Sequence, residues 1–305
     1  MSNMDKQTSS TLRIAVIGAG SIGSAYAFQL SRVGGHDVTA VARPASLRLE
    51  QLMRDAAIVN TEGERAEVQV TDNFDEALPY DLVLVTLLAH QVQAVLPALQ
   101  RSAAKALLFM FNNFEPEKLR DSVGAERCSF GMPFIQARLN QDGKLTAKIG
   151  AAGQKSKIDS RHWVNVFNSA GLPAVVETDM LLWLRCHVPL GAAFESVSVA
   201  AMRRGGGASW RESLVIAHGT KESFTLIQRL GYRIYPQGKA LLHASPAWVL
   251  AGVLWSMSRI PSFRELLATG LNECRALVDA LVASASRTEG NVSVSKIAAM
   301  KPALK

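Results

Sequence analysis

Residues 14–30 read IAVIGAGSIGSAYAFQL, an apolar run that ends at Gly18, followed by glycines at 20 and 23 and then by small and apolar residues at helical spacing. A G-x-G-x-x-G placed between a strand and a helix has a mechanical reason at each glycine. Gly18 permits a tight turn, Gly20 lets the backbone approach a pyrophosphate, and Gly23 lets the helix pack close on the sheet. Ser21 and Ile22 complete the loop. The N–H groups at the helix start then face phosphates, with the positive end of the helix dipole behind them. The bland alternative is a glycine-rich turn that holds no ligand.

Outward from this stretch, the N-terminal half alternates apolar runs with helical patterns. The runs LRIAVIG (12–18), DVTAVA (37–42), AEVQV (66–70), DLVLVTL (81–87) and ALLFMF (106–111) suit strands buried on both faces, the mark of a parallel sheet. KLTAKIGAAG (144–153) reads as a further strand opening near the edge of that sheet. After about residue 177 helical periodicity takes over, at 179–202, 210–230, 237–258 and 263–285, with RRGGGAS, GYRIYP and RIPS as stops. The expected architecture is an α/β Rossmann-type domain with a mostly parallel sheet over residues 1–176, followed by an all-helical domain over 177–305 for substrate binding and dimerisation. RRGGG (203–207) reads as a turn between helices.

Composition narrows the function classes. The chain has 305 residues, enough for two cores, with 48% apolar and 19% charged residues and no low-complexity tract. The first ten residues are polar and lack the basic flank and apolar stretch of a secretory signal, so they read as a loose lead-in. The longest apolar runs fall short of the roughly 18–20 residues that span a bilayer. Three scattered cysteines, Cys128, Cys186 and Cys274, offer no metal-ligand spacing and read as reduced thiols, so a cytoplasmic setting without a metal is expected. The sequon at Asn291 has no meaning without secretion. A net charge of +7 is spread along the chain without interleaved aromatics, which favours a phosphate-bearing small molecule over nucleic acid or a membrane.

At the end of the second strand, NAD-binding folds carry an acid for the ribose 2′-hydroxyl. Here DVTAVARPAS offers Arg43, whose fork suits a 2′-phosphate, and NADPH is the expected cofactor. Arg48 is placed to help. Taken alone, Arg43 also fits a solvated loop charge.

With these residues in view, the chain resembles the ketopantoate reductases (2-dehydropantoate 2-reductases), NADP-dependent enzymes with a Rossmann domain followed by a helical domain. The match runs across nearly the whole chain. VIGAGSIGSAYAFQL resembles the family's opening loop and VTAVAR its 2′-phosphate arginine. DLVLVTLLAHQV resembles the fourth strand and the turn VTxKAxQV, which implies cofactor contacts at Leu87 and Gln91. Leu88 stands where the family has a lysine on the cofactor phosphate, and this keeps NAD open beside NADPH. LLFMFNNF is similar to the strand ending in QNG, and puts Asn112 between nicotinamide and substrate, with Asn113 in place of the glycine. An amide there can donate and accept; an Asx turn is the local alternative.

The resemblance also gives LLWLRCHVPLGAAFES (181–196) a counterpart. The family's helix reads WxKLxxN, and its lysine donates to the ketone oxygen as hydride arrives at carbon. Aligning Trp183 sets Arg185 on that lysine, while Pro189 and Ala193 hold the places of two substrate-binding asparagines. A cation at 185 stabilises developing oxyanion charge but gives up no proton, because its pKa lies above about 12. Water, substrate or His187 then has to supply one, and His187 lies about 200° around an ideal helix from Arg185. Pro189 is expected to kink the helix, and a salt-bridged structural role is the alternative for Arg185. SFRELLATGLNECRALVDAL is similar to the segment that carries a carboxylate-binding serine and a ribose-proximal glutamate, which implies Ser262 for substrate and Glu273 for cofactor. As local alternatives, Ser262 caps a helix and Glu273 is a solvated helix charge.

The leading expectation is an NADPH-dependent reductase of a carbonyl in a small 2-oxo acid or related compound, with a substrate larger or more apolar than ketopantoate and a homodimer left open. A catalytically silent dinucleotide-binding regulator is the alternative from another class. An opine-type imine or amine dehydrogenase is a third.

Overall fold

The computed structural model describes residues 11–267 and 271–302. The lead-in expected over 1–10 lies outside them, as do residues 268–270 of the helix expected over 263–285. Contacts divide the chain into two units. The first holds the residues up to Leu87 together with Ala94–Phe111 and Ser122–Glu177, and the second holds Leu88–Gln93, Asn112–Asp121 and the chain from Thr178. The short segments 88–93 and 112–121, expected in the first domain, thus cluster with the second.

Unit 1 runs β1 (Arg13–Ile17), α1 (Ser21–Arg32), β2 (Asp37–Val41), α2 (Leu47–Asp55), β3 (Ala57–Val59), β4 (Arg65–Glu67), β5 (Gln69–Thr71), β6 (Leu82–Val85), α3 (Leu96–Arg101) and β7 (Leu107–Met110). After α4 (Pro116–Val123), most of which clusters with unit 2, come β8 (Cys128–Met132), β9 (Ile135–Leu139), β10 (Leu145–Ile149), β11 (Ser156–Ile158), α5 (Arg161–Ser169) and β12 (Ala174–Val176). Eight strands form one sheet in the order β12-β11-β8-β7-β6-β1-β2-β5, parallel throughout except where β11 meets β8.

The order reverses between β1 and β6. Chain after β1 steps to one side through α1 and β2, and β6 returns to β1's other side, pairing Ile14 with Leu82 and Ile17 with Val85. Such a switch point leaves a crevice beyond the strand ends, where doubly wound sheets bind ligands. The last four residues of β1 and all of β6 and β7 are buried, as strands covered by helices on both faces must be. On one face Tyr26 of α1 packs on Phe167 of α5, ring centroids 5.3 Å apart.

Two expectations are corrected in this unit. The run 144–153 does not extend the main sheet, because β10 pairs antiparallel with β9 in a separate hairpin. A turn closes that hairpin over residues 140–144, where the Asn140 side-chain oxygen accepts from the Lys144 N–H. AEVQV splits as well: β4 pairs with β3, and only β5 joins the sheet beside β2.

Unit 2 is helical: α6 (Met180–Arg203), α7 (Trp210–Arg229), α8 (Gln237–Ala244), α9 (Ala247–Met257), α10 (Pro261–Leu267), α11 (Leu271–Arg287) and α12 (Val294–Ala298). The helix expected over 237–258 is two helices. Pro246 follows Ser245 at the break, and a residue before proline is driven out of the helical region. α7 begins with a capping box in which Ser209 accepts from the Glu212 N–H and the Glu212 carboxylate accepts from the Ser209 N–H. α6 is buried around most of its circumference, its apolar side chains sharing a core with Phe224, Leu254, Leu277 and Leu281. No single helix among the described residues is long and apolar enough to cross a membrane.

Leu84 is fully buried in β6, whereas Leu241 is exposed on α8. Leu84→Ala is expected to lower stability by about 3 kcal/mol and Leu241→Ala by less than about 0.5 kcal/mol. Urea unfolding followed by tryptophan fluorescence checks the contrast.

Candidate functional site

The glycine loop of unit 1 is shaped by backbone contacts. Gly18 has φ of +99°, a region that L side chains rarely adopt. Its N–H donates to the Val41 carbonyl at 3.2 Å, and its own carbonyl accepts from the Gly20 N–H at 2.8 Å and from the Thr86 hydroxyl at 2.9 Å. A Cβ built on Gly23 would lie 2.2 Å from that same carbonyl oxygen and 2.5 Å from Thr86 Oγ1. No side chain fits, so the helix start rests directly on the strand end.

Gly20 is different. Its φ of −72° is open to any residue, and a Cβ there would meet no described atom within 4 Å. Neither torsion nor neighbours within the protein ask for glycine at this place. What the open space does fit is a phosphate drawn to the N–H groups of the first turn, so the loop suits a dinucleotide on its own geometry. Ser21 and Ile22, both half-buried, open α1 beside it, and Leu87 lies over Gly18, its Cδ2 2.9 Å from where a Cβ would be.

Arg43 is exposed just past the end of β2, and Ser46 begins α2 by accepting from the Leu49 N–H. Arg48 does not share Arg43's place. Its guanidinium donates to the Ala19 carbonyl at 3.1 Å, to Ser24 Oγ at 3.0 Å and to the Gly143 carbonyl at 2.9 Å. Burial lowers its pKa to about 10, still charged at neutral pH but committed to bracing the loop. Sequence reading missed this role, since an arginine five residues past a cofactor arginine carries no signal of its direction.

The remaining residues expected in the site lie in unit 2. Leu88 is half-buried, and its N–H donates to Gln91 Oε1 at 3.1 Å, so the amide expected to hold cofactor closes a local turn. Asn113 makes the Asx turn that had been the alternative for Asn112, its Oδ1 accepting from the Glu115 N–H at 3.0 Å. Asn112 is instead buried and donates from Nδ2 to Glu273 Oε1 at 3.0 Å. The structure thus joins two residues that stand 161 positions apart. Glu273 is no solvated charge: burial raises its pKa, and the Asn112 hydrogen bond offsets this in part. Ser262 is exposed in the first turn of α10, one residue inside its start, and is not its cap.

Arg185 departs most from expectation. It is 4% exposed and makes a bidentate pair with Glu117, Nη1 to Oε1 at 3.0 Å and Nη2 to Oε2 at 2.5 Å. Its guanidinium carbon sits 3.8 Å from the centre of the Tyr232 ring. Carboxylate and ring together balance and cover the charge that sequence reading left open to a ligand. His187 stacks on Trp183 with centroids 4.5 Å apart, and burial, with the Lys239 charge behind it, pulls its pKa down to about 3. A neutral imidazole is a poor general acid at neutral pH. α6 runs through Pro189 as one helix, and Pro189 and Ala193 are both buried.

Glu117, Tyr232 and Glu195 were not foreseen. Glu195 alone left a trace, as the one acid in the apolar stretch 186–202. It is 6% exposed, and burial, with the neighbouring Glu273 carboxylate, raises its pKa well above the ordinary value.

Gly20→Asp is expected to leave the melting temperature within about 2 °C of wild type and to abolish NADPH binding, while Gly23→Ala lowers both; calorimetric melting and titration separate the two effects. Arg185→Ala, which strands the Glu117 carboxylate, should cost about 3 kcal/mol. Arg185→Met with Glu117→Leu should recover most of that loss in a double-mutant cycle read by chemical denaturation.

Comparison with known proteins agrees with this geometry. Residues 14–155 match the family model of ketopantoate reductase PanE/ApbA. A 2-dehydropantoate 2-reductase of Bacillus subtilis is 35% identical over 108 residues, 33% of either chain, so the matched segment spans about a third of that relative's length. Among solved structures, a PanE/ApbA family ketopantoate reductase from Ralstonia eutropha superposes with a TM-score of 0.71 at 19% identity, covering 94% of this chain and 95% of that one. A D-mandelate dehydrogenase solved with NADH and anilino(oxo)acetate gives 0.71 at 14% identity over the same shares of the two chains. A probable 2-dehydropantoate 2-reductase from Bacillus subtilis gives 0.64 at 19%, covering 95% and 98%. Over residues 14–155 the chain is thus similar to the ketopantoate reductase PanE/ApbA family, and it shares the fold of these solved structures.

Proposed function

We propose that this protein is an NADPH-dependent oxidoreductase that reduces the carbonyl of a small 2-oxo acid or a related compound. The observation that carries this reading is the glycine loop, where Gly18 and Gly23 are sealed by backbone while Gly20 stays open. When bound there, a reduced nicotinamide dinucleotide supplies hydride. Gly18 to Gly23 hold the diphosphate through N–H groups, and Arg43, with no acid at the end of β2, favours a 2′-phosphate.

Unit 2 carries the few polar groups that the resemblance assigns to substrate. Asn112 orients a ligand through its amide, and Glu273 fixes that amide's rotamer. Pro189 and Ala193 stand in place of the family's two asparagines, so a substrate with a larger or more apolar side group than ketopantoate is preferred. The neighbour solved with anilino(oxo)acetate, the aromatic anilide of oxalic acid, supports that direction. The Arg185–Glu117 pair favours a second reading, a dinucleotide-binding protein without turnover, because the residue on the family's lysine is already neutralised.

NADPH oxidation followed across a panel of aliphatic and aromatic 2-oxo acids tests the proposal, with isothermal titration of NADPH and NADH alongside. Reduction of an aromatic or branched 2-oxo acid is expected. Arg43→Glu should weaken NADPH at least tenfold, about 1.4 kcal/mol, and NADH little. Tight NADPH binding with no substrate reduced would select the second reading, and no dinucleotide binding would defeat both.

A further inference from the structure

The family's lysine is replaced, Arg185 is paired and His187 is neutral, so the reduction proposed above lacks a source for its proton. The polar groups around Asn112 and Glu273 extend along α6, away from Arg185. Asn112 Oδ1 approaches Gly191, 3.6 Å from where a Cβ on that glycine would sit. Glu195 follows Gly191 by four residues, on the same face of α6 and one turn further on. On α11, Cys274 anchors the neighbouring turn, its Sγ 3.4 Å from the Ala192 carbonyl and 3.1 Å from Ser196 Oγ. This sets Glu273, the preceding residue, against the same stretch of α6, within reach of Asn112. From Arg185 this cluster is ten residues away, about 15 Å along a helix.

Two atoms in the cluster are unsatisfied. Among the described residues, Asn112 Oδ1 and Glu195 Oε2 are buried without a hydrogen-bond partner, and both side chains are more than nine-tenths buried. Buried polar atoms are rarely left so. Their placement beside the amide expected to orient substrate marks where a ligand's polar groups are received.

We propose that Glu195 is the proton donor of the reduction, its carboxyl group giving a hydrogen to the substrate oxygen from the wall that it shares with Asn112 and Glu273. This rests on the oxidoreductase reading above. The substrate carbon gains hydride and the C=O π pair moves onto oxygen. The Glu195 O–H breaks, its proton forming the new O–H while its electron pair stays on the carboxylate. Solvent returns the proton between turnovers.

The surroundings keep that proton in place. Desolvation comes first and the nearby Glu273 carboxylate second, both opposing charge on Glu195. From the elements packed on α6, the described side chains bring no compensating cation. The buried face of α7 carries Ser213, Thr220 and Ser223, and α9 has no ionisable residue. On α10, Arg264 donates to the carbonyls of Gly206, Ser258 and Arg259. α11 contributes Glu273, Cys274, whose thiol burial raises to about 12, and Arg275, whose guanidinium donates to the Pro302 carbonyl, and His90 faces Glu273. An acid held neutral in an apolar site is an effective proton donor near neutral pH.

The test pairs kinetics with a readout that needs no cofactor. A carboxyl whose folded pKa is raised stabilises the protein below its unfolded value and loses that contribution as pH rises through the folded value. Wild type should therefore lose stability as pH climbs from about 4.5, and Glu195→Gln should flatten that fall. In the ligand-free protein, carbon-13 NMR of labelled glutamate should show, beside the raised signal of Glu273, a Cδ titrating above the ordinary carboxylate range that is absent from the variant. With NADPH and the best 2-oxo acid, Glu195→Gln should lower kcat about 100-fold, leave KM within a few-fold and remove the alkaline limb of the pH profile. An unchanged stability–pH curve, or wild-type kcat with an unchanged pH profile, overturns the donor role. Should Glu195→Gln not fold, the glutamate titration of Glu273→Gln decides: no carboxyl titrating above the ordinary range there overturns the donor role. NADPH failing to bind while that titration persists defeats the oxidoreductase reading, a separately recognisable result.

Discussion

Unit 1 depends on a contact that contains no side chain. The start of α1 touches the turn after β1 through Gly23 and the Gly18 carbonyl, at a distance where a single methyl would force backbone apart. Thr86, at the end of β6, fastens the same carbonyl from across the switch point. Strand, turn and helix are thereby set relative to one another by excluded volume and one hydroxyl. The N–H groups of the first turn of α1, which have no partner within the helix, lie beside Gly20, where the diphosphate proposed above would be held.

Unit 2 handles charge inside an apolar helix in two ways. Arg185 is held as an ion, which requires a carboxylate in bidentate geometry and a ring against its face. Glu195 has no such partner, and burial, with the Glu273 carboxylate beside it, pushes its pKa up, because an unpaired buried carboxylate is costly. Both solutions sit on α6 amid the same core, and they differ because Glu117 reaches one and Glu273 crowds the other.

The sequence carried the parts of this architecture that follow from periodicity and from glycine chemistry. The continuous apolar runs at 12–18, 81–87 and 106–111 became central parallel strands, and the spacing 18, 20, 23 became the turn that it implies. What escaped was set by partners distant in sequence. Nothing local says that Arg48 turns toward Gly143, that Asn113 rather than Asn112 closes the turn, or that Glu117 lies opposite Arg185, 68 positions on. Residues 144–153 looked like an edge strand because alternation reports that a strand exists, while pairing depends on which neighbour its turn delivers. The break at Pro246 was legible, since the residue before a proline resists the helical region, but the apolar pattern on either side masked it.

The contacts of Arg48 bear on how the loop could be transplanted. Its guanidinium joins the Ala19 carbonyl in the nucleotide turn to the Gly143 carbonyl at the tip of the β9–β10 hairpin, and Gln51, one turn along α2, adds a bond to the Gln141 carbonyl. That ribbon, outside the main sheet and remote in the chain, is a buttress for the loop. A chimera that imports residues 13–43 alone inherits the motif without its prop, so a graft that preserves the loop's shape must carry α2 and the hairpin with it.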